Sequence, residues 1–257
     1  MLCNSFSIFP GIGPKIERYL WRMGVLSWDD FLGRERIPGF SPSRKSVLDR
    51  YVAAASDAYA SGNIRYFKPL LGPSETWRLW EPLAADSVCL DIETDGRRAG
   101  EGYVTVAGFY SHGEYRPYIA GVNLTQEAIE EELEGAKLLV TYSGNGFDLP
   151  YLRDSYPSIR IDLPHLDLCP VCHKAGLKGG LKKVEELVGI GRDDSVKGMS
   201  GYQAVLLWRA HLGGASGALD TLVSYNREDT ANLHTLAWKL FERLTEAAGF
   251  PGAVRSR

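Results

Sequence analysis

The apolar positions within residues 1–60 recur at helical spacing and show no alternation typical of a strand. Ile16 and Leu20 fall on one face of a predicted helix. A second short element begins at Trp28, directly after Ser27, a residue suited to cap a helix N-terminus. We therefore predict a small helical domain over residues 1–60.

Glycine and proline then interrupt the helical pattern. Residues 61–78 show no clear period and contain four positions that break helices, Gly62, Pro69, Gly72 and Pro73. The sequence predicts a linker over residues 61–78 and a main domain over residues 79–257.

The main domain begins with short apolar runs of strand length. The runs SVCLDIETDG, YVTVAGFYS and EYRPYIAG predict three strands of an antiparallel meander. The segment TQEAIEEELEG, with Thr125 as its N-cap, predicts a helix that crosses over to the buried strand KLLVTYS. The remainder is mostly helical and ends in a long helix from about residue 216 to 248. The fold class is therefore α/β.

Composition and charge narrow the class of protein. The chain has 257 residues, 44% of them hydrophobic, and a formal net charge of −3, as expected of a soluble globular protein. Lys and Arg outnumber Asp and Glu by ten to six within residues 1–70, so the rest of the chain carries about −7. An acidic body with a mildly basic N-terminal part argues against a protein that simply coats nucleic acid.

The sequence contains no evident membrane segment or export signal. No apolar run reaches the roughly 18 residues of a membrane span, and MLCNSFSIFPGIG lacks the basic start and apolar run of a signal peptide. The four cysteines are too few for a disulfide scaffold in a chain of this size. We expect a cytoplasmic protein with reduced thiols and no membrane partner.

The first candidate for chemistry is a pair of carboxylates on a strand. Asp91 and Glu93 are two residues apart, so both side chains leave the same face of the sheet. The run VCLDIE is apolar around Asp91, and two buried carboxylates side by side are unstable without a cation. A solvated strand end is the other interpretation of a lone D-x-E pair.

Two further motifs carry acidic residues. Asp148 follows a buried strand and a glycine-rich turn, where ligands bind in α/β sheets, although a carboxylate in the first turn of a helix also fits this position. Tyr225 and Asp229 are four residues apart on the last helix and point the same way, with Asn232 one turn further on. Isolated acidic residues are also common on solvated helix faces.

In this order, the motifs resemble those of the DEDD (DnaQ-like) 3′–5′ exonuclease group of the ribonuclease H-like superfamily, and more narrowly the YprB-type ribonuclease H-like domain family. The similarity extends over nearly the whole chain. It rests on the segments DIETDG, VTYSGNGFDLPYL, HLDL, GLKGGLKKVEELVGIGR, AVLLW and YNREDTANL. The resemblance implies a mixed five-stranded sheet flanked by helices, behind a small helical N-terminal domain.

The resemblance also implies a two-metal mechanism with two divalent cations, Mg²⁺ or Mn²⁺, as cofactors. Asp91 would bridge both ions, and Asp148 would hold one of them largely through water. Glu93 and Asp229 would complete the other site, and Tyr225 would orient the attacking water. Hard cations prefer carboxylate oxygens, and two of them stabilise both the attacking and the leaving oxygens of a phosphodiester.

Substrate contacts are implied for Thr94, Ser143, Phe147 and Lys182. The other interpretation of the segment around Lys182 is an ordinary loop followed by the start of a helix. Two residues depart from the family pattern: Ser143 stands where Asn is usual, and Asp95 replaces a Thr in the commoner DIETTG. These departures affect the placement of the substrate rather than the predicted metal ligands.

The segment PGIGPK resembles the hairpin of a helix-hairpin-helix motif, in which backbone N–H groups at a helix N-terminus bind a phosphate. This predicts a phosphate contact at Gly11, Gly13 and Lys15, with Arg18 and Arg22 close by. A simple glycine turn before a helix is the other interpretation, because too few residues precede the motif for a full first helix.

The segment CPVCH matches the C-x-x-C-H pattern of c-type haem attachment. The lack of an evident export signal argues against haem, and no second ligand pair supports a zinc site. We interpret Cys169 and Cys172 as two thiols near the start of a helix.

Two functions from different classes follow. The first is a two-metal-dependent 3′–5′ exonuclease that hydrolyses single-stranded DNA or RNA to nucleoside monophosphates. The second is a catalytically silent nucleic-acid-binding module with the same fold, against which the full set of four carboxylates and Tyr225 argues. Metal titration separates the two hypotheses, because a binding module needs no divalent ions.

Overall fold

The computed structural model of the chain describes residues 1–252. Five strands form one sheet: β1 (Ser87–Thr94), β2 (Val104–Ser111), β3 (Glu114–Ile119), β4 (Leu138–Thr141) and β5 (His165–Asp167). Their order is β3-β2-β1-β4-β5, so β1 is central. The first three strands are antiparallel, whereas β4 pairs parallel with β1 and β5 pairs parallel with β4. The predicted fold class, a mixed five-stranded sheet flanked by helices, is confirmed.

The described residues also form ten α-helices: α1 (Pro14–Arg22), α2 (Trp28–Leu32), α3 (Pro42–Ala60), α4 (Trp80–Leu83), α5 (Gln126–Leu133), α6 (Asp148–Ser155), α7 (Leu168–Lys174), α8 (Leu181–Val188), α9 (Gly201–Leu212) and α10 (Ala218–Ala248). The predicted N-caps are confirmed, since Ser27 accepts the Asp30 N–H at the start of α2 and Thr125 accepts the Ala128 N–H at the start of α5. None of the helices within residues 1–252 is both long enough and apolar enough to cross a membrane.

Strand β1 separates two apolar clusters. Val88, Leu90 and Ile92 pack in the cluster that contains α5 and α6, whereas Cys89 packs in the cluster that contains α10. Because side chains alternate along a strand, the carboxylate at position 91 leaves the same face as Cys89, which is the face that α10 covers. Because of this alternation, the carboxylate of β1 at position 91 faces α10.

The long helix α10 packs along the sheet, and its apolar face contacts the strands. Four leucines of α10 are buried in the core, Leu233, Leu236, Leu240 and Leu244. The helix ends at Gly249, whose φ of 76° is the left-handed conformation that glycine adopts most easily.

The segment predicted as a linker, residues 61–78, is folded and packed. It forms most of two 3₁₀ helices, Ile64–Leu70 and Pro73–Leu79, which bury Phe67 and Trp77. These side chains belong to the same apolar cluster as the leucines of α10. Glycine and proline therefore mark tight turns here rather than a free tether, and the division of the chain into two domains stays a prediction.

A buried ion pair also connects α1 to this segment. Arg78 Nη2 donates to Glu17 Oε2 at 2.9 Å, and both side chains are almost wholly buried. Glu17 Oε1 accepts the N–H groups of Phe6 at 2.8 Å and Ser7 at 2.9 Å. Because each buried charge has partners, the pair holds α1 in a defined position on the body of the protein.

Candidate metal centre

Three carboxylates converge where α10 crosses the end of β1. Asp91 and Glu93 on the strand and Asp229 on the helix each offer one oxygen, and the three oxygens lie within 4.8 Å of one another. Glu93 and Asp229 are buried and Asp91 is half-buried. The structure thus brings together three of the four predicted metal ligands.

The electrostatics of this group favour a cation. Burial raises the pKa of Asp91 well above its usual range, and the neighbouring charges of Asp229 and Glu93 raise it further. Burial and then Asp229 likewise raise the pKa of Glu93. Oxygen ligands of this kind suit hard divalent ions, and such an ion would relieve the repulsion that raises these pKa values. The residues present therefore fit a divalent cation.

Asp148 lies beside this group and not within it. It is the first residue of α6 and is 3% exposed, and its Oδ1 accepts the N–H of Ile92 at 3.1 Å. Burial raises the pKa of Asp148 to about 7, against the opposing effect of that hydrogen bond. Since Ile92 lies between Asp91 and Glu93 on β1, Asp148 is held next to the group, and its part in a second metal site stays a prediction.

Asn226 orients the carboxylate of Asp91, a role that the sequence did not reveal. It is wholly buried, and its Nδ2 donates to Asp91 Oδ2 at 2.9 Å and to the Asp91 carbonyl at 3.3 Å. The hydroxyl of Tyr115 donates to Asn226 Oδ1 at 2.8 Å, which selects the orientation of the amide. The chain of donors from β3 through α10 to β1 therefore fixes one oxygen of Asp91 and leaves the other available.

Glycine is required opposite Asp91 for this arrangement to form. Gly108 on β2 is the register partner of Asp91, and a Cβ at position 108 would overlap Asn226 Oδ1 and come within 2.7 Å of Thr230 Oγ1. The close approach of α10 to β2 at this point depends on the missing side chain.

Arg192 was also missed by the sequence argument. Its side chain is 7% exposed, its Nε donates to Glu185 Oε2 at 2.5 Å, and its Nη1 forms an ion pair with Asp229 Oδ1. Among residues 1–252, neither Nη atom has a partner that meets hydrogen-bond geometry. Arg192 thus places a buried positive charge against Asp229, and Glu185 on α8 anchors that charge.

Tyr225 and Lys182 form a unit next to the carboxylates. Tyr225 is 3% exposed, one turn before Asp229 on α10. Lys182 Nζ donates to the Tyr225 hydroxyl and to the carbonyl of Met199, and it also lies 4.2 Å from the centre of the Tyr225 ring. Burial lowers the pKa of Lys182, partly against the charge of Asp229. The predicted substrate ligand Lys182 is therefore already bound to the predicted water-orienting tyrosine.

The loop that delivers Asp148 is held by Asp167, another residue that the sequence argument did not single out. Asp167 at the end of β5 accepts the N–H groups of Ser143 at 2.7 Å, Asn145 at 3.2 Å and Cys169 at 3.1 Å. Its place as the N-cap of α7 is a signal that the sequence contained. Ser143 has a φ of 63°, a left-handed conformation in which Asn is more common than Ser.

Three residues next to the carboxylates take different positions. Phe147 is 47% exposed directly before Asp148 and packs against Tyr151, with ring centres 5.6 Å apart. Thr94 is buried after a bulge between residues 93 and 94 of β1. Asp95 turns away, accepts the Arg97 N–H at 3.2 Å and pairs with the Arg97 side chain at 3.3 Å, so it is not part of the carboxylate group.

The residues of the predicted phosphate contact lie at the start of α1, away from the three carboxylates of β1 and α10. Gly11 has a φ of 73°. Gly13 is the N-cap of α1 and, as a glycine, has no side chain that could cap the helix. Lys15, Arg18 and Arg22 on α1 line a cavity of about 430 Å³ together with Gly249. Among the described residues before α1, the one helical element is the short 3₁₀ helix Leu2–Asn4.

The cysteines of CPVCH lie on α7. Cys172 is wholly buried in the same apolar cluster as the leucines of α10, and burial raises its pKa to about 12. Cys169 is half-buried and His173 is exposed. The sulfur of Cys172 is therefore part of the core, and the interpretation as thiols near a helix start agrees with this position.

Comparisons with known proteins identify a family. A sequence profile described as the RNase_H superfamily matches residues 88–241, more than half of the chain. No curated protein matches the chain. Among solved structures, the family B DNA polymerase from the hyperthermophilic archaeon Pyrobaculum calidifontis is similar, with 18% sequence identity and a TM-score of 0.49. That match covers 61% of this chain and 24% of the polymerase chain, so the chain matches about a quarter of the length of that polymerase.

Proposed function

Because the chain belongs to the ribonuclease H superfamily, we propose that it is a metal-dependent nuclease that hydrolyses phosphodiester bonds of single-stranded nucleic acid from the 3′ end. The observation that carries the proposal is the convergence of Asp91, Glu93 and Asp229 within 4.8 Å. Three carboxylates this close together, two of them buried and one half-buried, repel one another. Arg192 pairs with Asp229, but the pKa values of Asp91 and Glu93 stay raised, and a divalent cation would relieve the remaining repulsion.

The proposed cofactors are two divalent cations, Mg²⁺ or Mn²⁺, held by these three carboxylates together with Asp148. When bound, they supply positive charge for the attacking and leaving oxygens of the phosphodiester. Asn226 and Arg192 hold the carboxylates of Asp91 and Asp229, so the ligand oxygens need little rearrangement.

Tyr225 is proposed to orient the attacking water through its hydroxyl. Lys182 donates to the oxygen of that hydroxyl, so the hydroxyl can still donate its own proton to another group. Burial and the charge of Asp229 raise the pKa of Tyr225, so the hydroxyl keeps its proton and can donate to a water oxygen or to the substrate. Lys182 is in this proposal a positioning residue for Tyr225 as well as a source of positive charge.

Phe147, Thr94 and Ser143 are proposed to contact the terminal nucleotide. The half-exposed ring of Phe147 precedes Asp148 and offers a surface on which a base can stack, a sequence-tolerant contact worth about 1–3 kcal/mol. A preference for single strands follows, because a paired base cannot leave its stack without an energetic penalty. A cytoplasmic location stays a prediction from the sequence.

The experiment is a cleavage assay on single strands of DNA and RNA, labelled at either the 3′ or the 5′ end, with Mn²⁺ or with EDTA. We expect stepwise shortening from the 3′ end with Mn²⁺ and none with EDTA. Tyr225→Phe should slow turnover about tenfold while the metal affinity, measured by calorimetry, stays nearly unchanged. A protein that binds both strands but neither cleaves them nor binds Mn²⁺ would instead be a silent binding module.

A further inference from the structure

The basic cavity is lined by Lys15, Arg18, Arg22 and Gly249, and its three cationic side chains have no carboxylate partner among residues 1–252. The three side chains follow i, i+3 and i+7 spacing, so they share one exposed face of α1. None of them forms an ion pair within residues 1–252, and no carboxylate lines the cavity. The surface therefore attracts an anion.

The spacing of the charges fits a strand better than a single phosphate. Arg22 lies seven positions after Lys15, which corresponds to about 10 Å along the axis of α1. Phosphates rise by about 3.4 Å each along the axis of a stacked strand, so the three cations extend over the length of about four successive phosphates.

The cavity is fixed to the end of α10. The ring of Trp21 on α1 packs edge-on against Phe250, with centres 5.2 Å apart, and a Cβ on Gly249 would be in ordinary contact with the Arg18 side chain. The buried pair of Glu17 and Arg78 holds α1 from its other side. The position of the cavity relative to α10 is thus set by packed side chains rather than by a loose tether.

The length of helix α10 gives the distance from the cavity to the carboxylates. Asp229 and Gly249 are 20 residues apart on one uninterrupted helix, which corresponds to about 30 Å. At about 3.4 Å for each phosphate, a stacked strand needs about nine nucleotides to reach from one place to the other. An extended strand needs fewer.

We propose that the basic cavity binds the backbone of the same nucleic-acid strand that is cut at the carboxylates, about nine nucleotides from the cut, so that α10 sets a minimum length for tight binding. The proposal rests on the proposed nuclease function. Shorter strands contact the metal centre alone, whereas longer strands gain up to three phosphate contacts.

The test measures binding of single strands from about 4 to about 20 nucleotides long by fluorescence anisotropy, with Ca²⁺ in place of Mn²⁺ so that a divalent cation neutralises the carboxylates, and gel electrophoresis of each sample checks that the strands stay intact. We expect the affinity of the wild type to rise in a step near nine nucleotides and then to level off. The variant Lys15→Gln/Arg18→Gln/Arg22→Gln should lose the step, and for long strands the slope of log K against log salt should become shallower by about 2. Its melting temperature should equal that of the wild type, because all three side chains are exposed.

The matched control is Arg65→Gln/Lys137→Gln/Lys174→Gln, which removes the same charge from surface ion pairs elsewhere. This control should keep the step. Strands with one uncharged methylphosphonate linkage then locate the contact, since the loss of affinity should peak about nine linkages from the cut end. A wild type without a step, or a step that the cavity variant keeps, overturns the proposal. Failure of the nuclease function is seen separately, as absence of Mn²⁺-dependent cleavage whatever the binding data show.

Discussion

The two ends of the segment of α10 from Asp229 to Gly249 lie in opposite electrostatic surroundings. At Asp229 the helix meets other carboxylates in buried surroundings, where the charges raise one another's pKa and side chains such as Asn226 and Arg192 hold them in place. At Gly249 the helix ends beside exposed cations that need no protein partner because water solvates them. A buried charge is stable only when its partners lie at defined positions. An exposed charge is solvated by water, so only its sign matters for attracting an anion. Substitutions at the carboxylates should therefore be sensitive to geometry, and those at the cavity only to charge.

The largest effect is expected from Asp91→Asn, which removes the central negative charge of the carboxylate group and keeps its shape. Cleavage with Mn²⁺ should be abolished. The metal-free variant should be no less stable than the metal-free wild type, because the substitution relieves repulsion in a buried acidic group. Chemical denaturation in EDTA and an end-labelled cleavage assay measure the two results. Asp154→Asn on the exposed face of α6 is the control, and equal cleavage by Asp91→Asn and the wild type would show that the metal centre is misplaced.

The next effect concerns the stability of the metal-free protein against pH. Burial raises the pKa of Asp148 to about 7 in the folded state, against about 4 in the unfolded chain, so between these pH values the native state binds the extra proton. The unfolding free energy therefore falls as the pH rises from 4 to 7. Asp148→Asn should remove this contribution and gain a few kcal/mol over the wild type at pH 8 but little at pH 4, since one pKa unit corresponds to about 1.4 kcal/mol.

The measurement is urea denaturation in EDTA at several pH values. Saturating Mn²⁺ should cancel the advantage of Asp148→Asn, because a bound cation stabilises the ionised carboxylate of the wild type. A stability difference that does not change between pH 4 and 8 would contradict the buried, proton-binding state of Asp148.

A smaller effect is expected when the support of Asp91 is removed. Asn226→Ala deletes the donor to Asp91 Oδ2 and should weaken Mn²⁺ binding or activity by about 10- to 100-fold. Tyr115→Phe removes only the hydroxyl that orients the Asn226 amide, so its effect should be smaller and in the same direction. Tyr118→Phe is the matched control, because that hydroxyl on the same strand donates to Glu132. If Asn226→Ala lowers stability but leaves Mn²⁺ affinity unchanged, Asn226 is only a packing residue.

The smallest effect is expected from single charges at the basic cavity. Arg18→Gln should weaken binding of long strands about two- to fivefold at moderate salt and reduce the salt slope by about 0.7, as expected for one lost phosphate contact. Arg18→Lys should retain most of the affinity, because the charge rather than the guanidinium shape is needed. By contrast, an equally conservative Gly108→Ala at the carboxylates should be damaging, since a Cβ there overlaps Asn226. Anisotropy titrations at several salt concentrations test the first two variants.

Local patterns in the sequence predicted strands β1 to β4, several helices, and the faces on which Asp91, Glu93 and Asp229 lie. Strand β5 falls in a segment for which the pattern predicted mostly helix. The alternation of VCLDIE placed Asp91 and Glu93 on one face of β1, and the four-residue spacing placed Tyr225 and Asp229 on one face of α10, because both periods are properties of the backbone. Capping residues such as Ser27 and Thr125 marked helix starts for the same reason.

Only the tertiary structure decided which residues support these groups. Asn226 reaches Asp91 across 135 positions of sequence, and Arg192 reaches Asp229 from the loop after α8, so neither contact leaves a local pattern. The packing of residues 61–78 likewise depends on a face of α10 that lies far away in the chain. Periodicity reports the face on which a side chain lies, but the neighbour on that face is set by how distant elements pack.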